Sequence, residues 1–236
     1  MPQIVNTWKC NFKCEHCLWS CSPTRKGMVS RSDIIEFVRE IAKYNDEFIN
    51  LLGGETFMHP DIVWQVEYLT GVFGSVRIVT NGTMLFKPIG EDFLEHFMGN
   101  DKLYIMVSDD PFHKRYWPKG FTAQKAKWLI ESYDIRTEED NRCNMREPYQ
   151  YIGRAKKNNI GDPDMDNVTC WDDDIRIDPC LLPNGDISAC CQGKCIVGRA
   201  GYHSYEYMEE KFQHHMRGKV RSKLKCYKCV SRIKTN

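Results

Sequence analysis

Short apolar runs alternate with segments of helical periodicity along the first 135 residues. The apolar, β-rich runs predict strands at residues 3–8, 48–52, 76–79 and 103–107. Apolar positions at helical spacing predict helices at 34–42, 60–69, 92–98 and 122–130. Ser30 and Asp33 form a capping box before the first helix, and Thr122 caps the last. This alternation is typical of a parallel α/β sheet, and four such units favour a barrel or partial barrel with ligand sites at the carboxyl ends of its strands.

The pattern changes in the last third of the chain. Residues 162–178 carry seven aspartates and one arginine, whereas residues 211–236 carry nine lysines or arginines and no acidic residue. Asn184-Gly185, flanked by short apolar runs, predicts a hairpin. We therefore expect two domains, a barrel in residues 1–160 and a smaller module in residues 165–236.

Composition is that of an ordinary globular protein, apart from its cysteines. Of 236 residues, 42% are hydrophobic and 28% charged, and the formal net charge is +1, which points to neither a nucleic-acid partner nor an acidic substrate. There is no signal-peptide core and no apolar run of about 20 residues. Four of the 12 cysteines fall between Cys10 and Cys21, and the other eight follow residue 142. Two such clusters around a folded core predict two metal sites in a reducing, cytoplasmic compartment.

The first cluster follows the first predicted strand directly, as Cys10-Asn-Phe-Lys-Cys14-Glu-His-Cys17. Three thiolates on one loop can hold three irons of a cubic iron–sulfur cluster and leave the fourth iron open to a small molecule. A structural zinc ion would need a fourth ligand, which Cys21 could supply. The alternative is therefore a structural zinc site in this loop, with Cys10, Cys14, Cys17 and Cys21 as its ligands.

This Cys-x3-Cys-x2-Cys spacing resembles the signature of the radical S-adenosylmethionine (radical SAM) superfamily, whose last cysteine commonly follows an aromatic residue, here His16. The resemblance implies a partial (β/α)6 TIM-like barrel and a [4Fe-4S] cluster held by Cys10, Cys14 and Cys17. It also implies reductive cleavage of S-adenosylmethionine to a 5′-deoxyadenosyl radical. The implied cofactor-binding residues end the second, third and fourth strands: Gly53, Gly54, Glu55, Asn81 and Ser108. Glu55 would accept a hydrogen bond from the S-adenosylmethionine ammonium, and the glycines would allow close backbone approach.

The second cluster offers four ligands for a closed site: Cys170, Cys190, Cys226 and Cys229. The element Cys170-x14-Gly185-x4-Cys190 resembles the opening of the SPASM and twitch domains of radical SAM enzymes, which implies an auxiliary [4Fe-4S] cluster. A zinc ribbon on the same four cysteines is the alternative. Cys180 or Cys195 could also replace one of these ligands.

Cys191 adjoins a predicted ligand and is our candidate catalytic residue. A thiol beside the cluster could donate a hydrogen atom to a substrate radical, although a structural thiol is the simpler interpretation. The basic segment of residues 211–236 has two interpretations as well. It could offset the negative charge of a thiolate-bound cluster, or it could form a groove for an acidic peptide.

The resemblance implies modification of a peptide or protein by cross-linking, thioether formation, epimerisation or oxidation. A radical enzyme acting on a small metabolite is the alternative, and a non-enzymatic zinc-binding protein is the third class. The implied partners are a peptide or protein substrate, an electron donor such as flavodoxin or ferredoxin, and a separate leader-binding protein.

Overall fold

One sheet of eight strands organises the computed structural model, which describes residues 1–140, 157–158, 177, 179–189 and 195–217. The strands are β1 (Gln3–Val5), β2 (Phe48–Leu52), β3 (Ser75–Thr80), β4 (Leu103–Ser108), β5 (Arg136–Asp140), β6 (Cys180–Leu181), β7 (Asp186–Ser188) and β8 (Ile196–Arg199). Their spatial order is β5-β4-β3-β2-β1-β6-β7-β8. Strands β1 to β6 pair in parallel, and β7 and β8 are antiparallel. The predicted α/β fold with a mostly parallel sheet is confirmed.

Helices connect the parallel strands, as the periodicity predicts. They are α1 (Arg31–Ile41), α2 (Ile62–Val72), α3 (Pro88–His96), α4 (Pro111–Lys114), α5 (Ala123–Ser132) and α6 (Tyr205–Arg217), with short 3-10 helices at Thr56–Met58 and Thr83–Phe86. The Ser30 side chain accepts from Asp33 N–H at 3.1 Å, and the Thr122 side chain caps α5. None of the described helices combines the length and the apolar character needed to cross a membrane.

The core lies between the helices and the sheet. Strand β3 alternates half-buried and buried side chains, the three central residues of β2 are buried, and β4 is buried except at Tyr104, because helices cover the sheet. Phe37, Phe57, Phe73 and Phe93 are among the largest fully buried side chains. This packing holds the carboxyl ends of β1 to β4 along one edge of the sheet, where their loops meet.

The predicted hairpin joins this same sheet. Gly185 has a φ of +82°, which favours glycine, and Leu182 N–H donates to Asp186 O at 2.9 Å across the turn. Strand β6 then pairs in parallel with β1, with Gln3 opposite Cys180. The sheet is therefore continuous from residues of the first predicted domain to residues of the second. The predicted boundary at residues 160–165 lies outside the described residues, so the division itself stays a prediction.

Candidate functional site

The loop after β1 gathers three cysteines at the carboxyl edge of the sheet. Cys10 N–H donates to Ser22 O at 3.1 Å, which folds the loop back on itself. Cys17 N–H donates to Cys14 O at 3.3 Å and forms a turn within the loop. Cys10 and Cys14 are only 7% and 5% exposed, and Cys17 is half-buried. The predicted ligands of the first cluster thus lie together in one small buried group.

Burial and negative neighbours act on the Cys10 thiol. Burial raises its pKa well above the ordinary value, the Glu55 carboxylate raises it further, and Cys14 and Cys17 add to the effect. The three cysteines also pack together in one hydrophobic cluster. Because metals bind thiolates, loading this site would release protons. Three adjacent thiols on one loop fit the three protein ligands of an open iron–sulfur cluster.

Cys21 is a fourth thiol beside this group and is 1% exposed. Its backbone N–H donates to Cys17 Sγ at 3.3 Å. A hydrogen bond between the Cys21 and Cys17 side chains, together with burial, raises the pKa of the Cys21 thiol. The structure therefore places Cys21 next to the predicted ligands.

Gly53 and Gly54 allow the end of β2 to touch the cysteine loop. A Cβ atom on Gly54 would lie 2.2 Å from Lys9 O and 3.0 Å from Cys10 Cβ, and one on Gly53 would lie 2.6 Å from Asn6 Oδ1. The space instead admits a backbone hydrogen bond of 2.7 Å from Gly54 N–H to Thr7 O. These glycines are therefore required for the position of the loop, whatever further contact they make with a cofactor.

The Glu55 carboxylate is fully buried and bonded within the protein. Its Oε1 accepts from Thr80 Oγ1 at 2.6 Å and from Phe57 N–H at 3.3 Å, and its Oε2 accepts from Asn81 N–H at 2.9 Å. Burial raises the pKa of Glu55, while these three hydrogen bonds oppose the rise. Glu55 thus ties the end of β2 to the end of β3, and its predicted contact with S-adenosylmethionine stays a prediction.

We expect Glu55→Gln to destabilise the fold as well as to weaken S-adenosylmethionine binding. Each carboxylate oxygen accepts from a backbone N–H, so the new NH2 group must face a donor in either orientation. One buried N–H then lacks an acceptor, which costs about 1–3 kcal/mol in the free energy of unfolding. Chemical denaturation measures this loss, and isothermal titration of the cluster-loaded protein measures the affinity for S-adenosylmethionine.

Thr80→Val is the matched control, because it removes one hydrogen bond to Glu55 and leaves the carboxylate in place. If only Glu55→Gln weakens S-adenosylmethionine binding, the carboxylate contacts the cofactor. Equal weakening in both variants would assign Glu55 a purely structural role and contradict the sequence-based expectation.

Asn81 and the cysteine loop share a closed hydrogen-bond network. Asn81 Nδ2 donates to Asn11 Oδ1 at 2.8 Å, and Asn11 Nδ2 donates to Thr83 Oγ1 at 2.8 Å. The Thr83 hydroxyl completes the ring by donating to Asn81 Oδ1 at 2.7 Å. Asn81, predicted to bind the cofactor, thus anchors the residue after Cys10 to the end of β3. Ser108, the last residue of β4, is buried at the same edge.

Buried Asp110 and half-buried His113 form a pair that contacts Cys14, and the sequence patterns did not single it out. Asp110 is 2% exposed and accepts from Phe112 N–H at 2.9 Å and His113 N–H at 3.0 Å. Burial lowers the pKa of His113, but its hydrogen bonds to Asp110 and Cys14 outweigh this effect and raise it to about 10. At neutral pH the pair is therefore an imidazolium and a carboxylate, placed to donate a hydrogen bond toward the Cys14 sulfur.

The segment carrying this pair packs over the cysteine loop. His16 stacks on Phe112 with ring centroids 4.6 Å apart, and Phe12 stacks on Tyr116 at 5.4 Å. Tyr116 Oη donates to Lys13 O at 2.8 Å. The side-chain nitrogen and oxygen atoms of His16, Asp110 and His113 lie within 4.8 Å of one another. The sequence signal for this segment is Asp110-Pro111, a capping residue followed by proline, directly after β4.

The predictions for the second cluster fall mostly outside the described residues. The predicted residues that lie outside the described part of the chain are Cys170, Cys190, Cys191, Cys226 and Cys229. Cys180 lies in β6, fully buried beside Val5 and Leu182, and Cys195 is buried in the main core. The auxiliary cluster and the role of Cys191 therefore stay predictions.

The chain is similar to known proteins over part of its length. A family model described as the Radical SAM superfamily matches residues 7–121. Over 91 residues the chain is 32% identical to the S-adenosylmethionine-dependent nucleotide dehydratase of a Thermoplasmatales archaeon (strain ISO4-H5). This alignment covers 39% of this chain and 31% of that protein. Over 84 residues it is 34% identical to the antilisterial bacteriocin subtilosin biosynthesis protein AlbA of Bacillus subtilis (strain 168), covering 34% of this chain and 18% of that protein. The chain thus matches less than a third of either relative.

The fold is also similar to a solved structure over nearly its whole length. The crystal structure of BtrN in complex with AdoMet and 2-DOIA matches with a TM-score of 0.63 and 14% identity, covering 95% of this chain and 90% of that one. At this identity the likeness shows the fold alone. The sequence match and the cysteine loop together indicate a Radical SAM domain in residues 7–121.

Proposed function

We propose that this chain is a radical SAM enzyme that modifies a peptide or protein substrate. The single observation that carries the proposal is the group of three thiols after β1, in a loop whose backbone packs against Gly53 and Gly54. Three adjacent cysteines at this spacing suit a cluster with one open iron. When bound, this cluster and S-adenosylmethionine supply a 5′-deoxyadenosyl radical by reductive cleavage.

The residues around the loop would hold and shield the cluster. Cys10, Cys14 and Cys17 would be its ligands, and the Asp110–His113 pair would orient Cys14 by a hydrogen bond. The aromatic contacts of the segment after β4 would limit the access of water to the loop. The protein's part in the chemistry is thus to position the reactive groups and to exclude solvent.

The peptide substrate rests on the similarity to AlbA and on the cysteine-rich C-terminal third. AlbA is named for the biosynthesis of a bacteriocin, subtilosin. A small metabolite is the second candidate substrate, favoured by the similarity to a nucleotide dehydratase. We also propose an auxiliary cluster on Cys170, Cys190, Cys226 and Cys229, with Cys191 beside it, flavodoxin or ferredoxin as the electron donor, and a separate leader-binding protein.

The test is anaerobic reconstitution of the full chain with iron and sulfide, followed by reduction and addition of S-adenosylmethionine. We expect 5′-deoxyadenosine in the product mixture by liquid chromatography and mass spectrometry. Short peptides encoded beside the gene should then change mass in its presence. Formation of 5′-deoxyadenosine with no peptide modified, but with a nucleotide consumed, would favour the second candidate.

A further inference from the structure

A groove of about 330 Å³ opens next to the cysteine loop, between the 3-10 helix after β3 and the segment before α5. We call it the lysine groove, and its lining residues are Thr83, Phe86, Lys87, Pro118, Lys119, Gly120, Phe121 and Lys125. Thr83 connects it to the candidate site, because the Thr83 hydroxyl bonds both Asn11 and Asn81. One hydrogen bond, from Asn11 to Thr83, therefore connects the groove to the residue that follows Cys10.

Positive charge dominates the lysine groove. Lys87, Lys119 and Lys125 are all exposed, and no acidic residue belongs to the lining. Within the part of the chain that the structure describes, none of these three lysines forms a salt bridge with a carboxylate. Lys125 Nζ donates instead to Gly120 O at 2.6 Å. Three ammonium groups that no described carboxylate neutralises attract an anionic partner.

One wall of the lysine groove is aromatic. Phe86 is 41% exposed and meets Phe121 edge to face, with ring centroids 5.6 Å apart. Phe121 in turn packs on Trp117 at 4.9 Å and on Gly82, where a Cβ atom would lie 3.1 Å from its ring. These contacts hold the Phe121 ring in place behind the exposed Phe86 side chain. Apolar side chains of a partner could therefore bury surface against this wall.

We propose that the lysine groove binds an acidic segment of the peptide substrate and directs the neighbouring residues of that peptide toward the cysteine loop. This proposal rests on the proposed function, since it assigns a binding surface for the same substrate. Glutamate or aspartate side chains of the segment would pair with the three lysines. Apolar side chains between them would contact Phe86.

The lining favours a peptide over a nucleotide. A nucleotide site usually presents a few placed polar groups that read the base and the ribose. Here the lining side chains that can hydrogen-bond are the three lysines and Thr83, and the Thr83 hydroxyl is already engaged with Asn11 and Asn81. Spread ammonium groups beside an aromatic wall suit alternating acidic and apolar side chains in an extended peptide.

The experiment measures equilibrium binding of a labelled probe peptide to the full chain by fluorescence anisotropy. The probe alternates glutamate and leucine, and a second probe carries glutamine in place of glutamate. Replacing Lys87, Lys119 and Lys125 together with glutamine should weaken binding of the acidic probe about tenfold, the sum of three exposed charge pairs. The matched control replaces Lys26, Lys43 and Lys211, exposed lysines on other segments, and should change binding less than about twofold.

Several outcomes would overturn the proposal. These are equal weakening in both triple variants, equal binding of the two probes, no binding of the acidic probe, and displacement of the probe by ATP or GTP at the same lysines. None of them depends on S-adenosylmethionine cleavage. If the groove does not bind the probe, the proposed radical chemistry is unaffected. If the chain does not cleave S-adenosylmethionine, the measured binding of the probe is unaffected.

Discussion

Replacing Cys10, Cys14 and Cys17 together with alanine should remove one four-iron cluster and abolish the formation of 5′-deoxyadenosine. The three thiols are the only predicted protein ligands of the first cluster, and they pack in one cluster in the loop after β1. Without them no protein ligand of this cluster remains. Iron analysis, the visible absorption of the reconstituted protein and product detection by mass spectrometry measure the effect.

Cys21→Ala is the matched control for the triple variant. Cys21 is a buried cysteine of the same loop, and its side chain hydrogen-bonds Cys17. We expect this variant to keep its iron and to form 5′-deoxyadenosine. If Cys21→Ala lost metal as completely as the triple variant, and the metal were zinc, the four cysteines would form a zinc loop instead. A triple variant that still cleaved S-adenosylmethionine would refute the site.

Gly54→Ala should have the second largest effect, through the position of the cysteine loop. The new Cβ atom would lie 2.2 Å from Lys9 O and 2.7 Å from Lys9 C, and these are backbone atoms that cannot rotate away. We expect a loss of about 1–3 kcal/mol in the free energy of unfolding from this overpacking. A shift of about 1 Å in the loop would lower S-adenosylmethionine cleavage on the order of 100-fold.

Gly71→Ala serves as the control for Gly54→Ala. Gly71 lies in α2, and a Cβ atom there would meet nothing within 4 Å. Alanine favours the helix over glycine, so this variant should be more stable by about 0.4–1 kcal/mol and keep full activity. Denaturation curves compare the stability of the two variants, and their cluster content is measured alongside. Unchanged stability and cleavage in Gly54→Ala would show that the close approach to Lys9 is not needed.

Two groups of residues at the edge of the site act on the first cluster in different ways. Gly54 and Asn81 act on the path of the cysteine loop, whereas the Asp110–His113 pair acts on Cys14 itself. Variants of the first kind should lower cluster loading. Variants of the pair should instead change the electronic environment of a cluster that still assembles.

Local features of the chain were predictable from the amino-acid sequence by itself. Strand β2 has the bounds that its apolar run predicts, and Ser30 and Thr122 cap their helices as expected. The spacing of Cys10, Cys14 and Cys17 likewise points to the superfamily without any knowledge of the fold. Each of these features depends on residues within a few positions of one another, so backbone propensity and side-chain spacing are enough to specify them.

Only the tertiary structure showed which distant segments meet at the site. It placed Gly54 against Lys9, Asn81 against Asn11 and the Asp110–His113 pair against Cys14, and it joined β6 to β1 across the predicted domain boundary. The physical reason is that these contacts depend on the order of strands in the sheet and on the packing of loops at its edge. Local periodicity carries no record of either, because the same strands and helices could pair in more than one order.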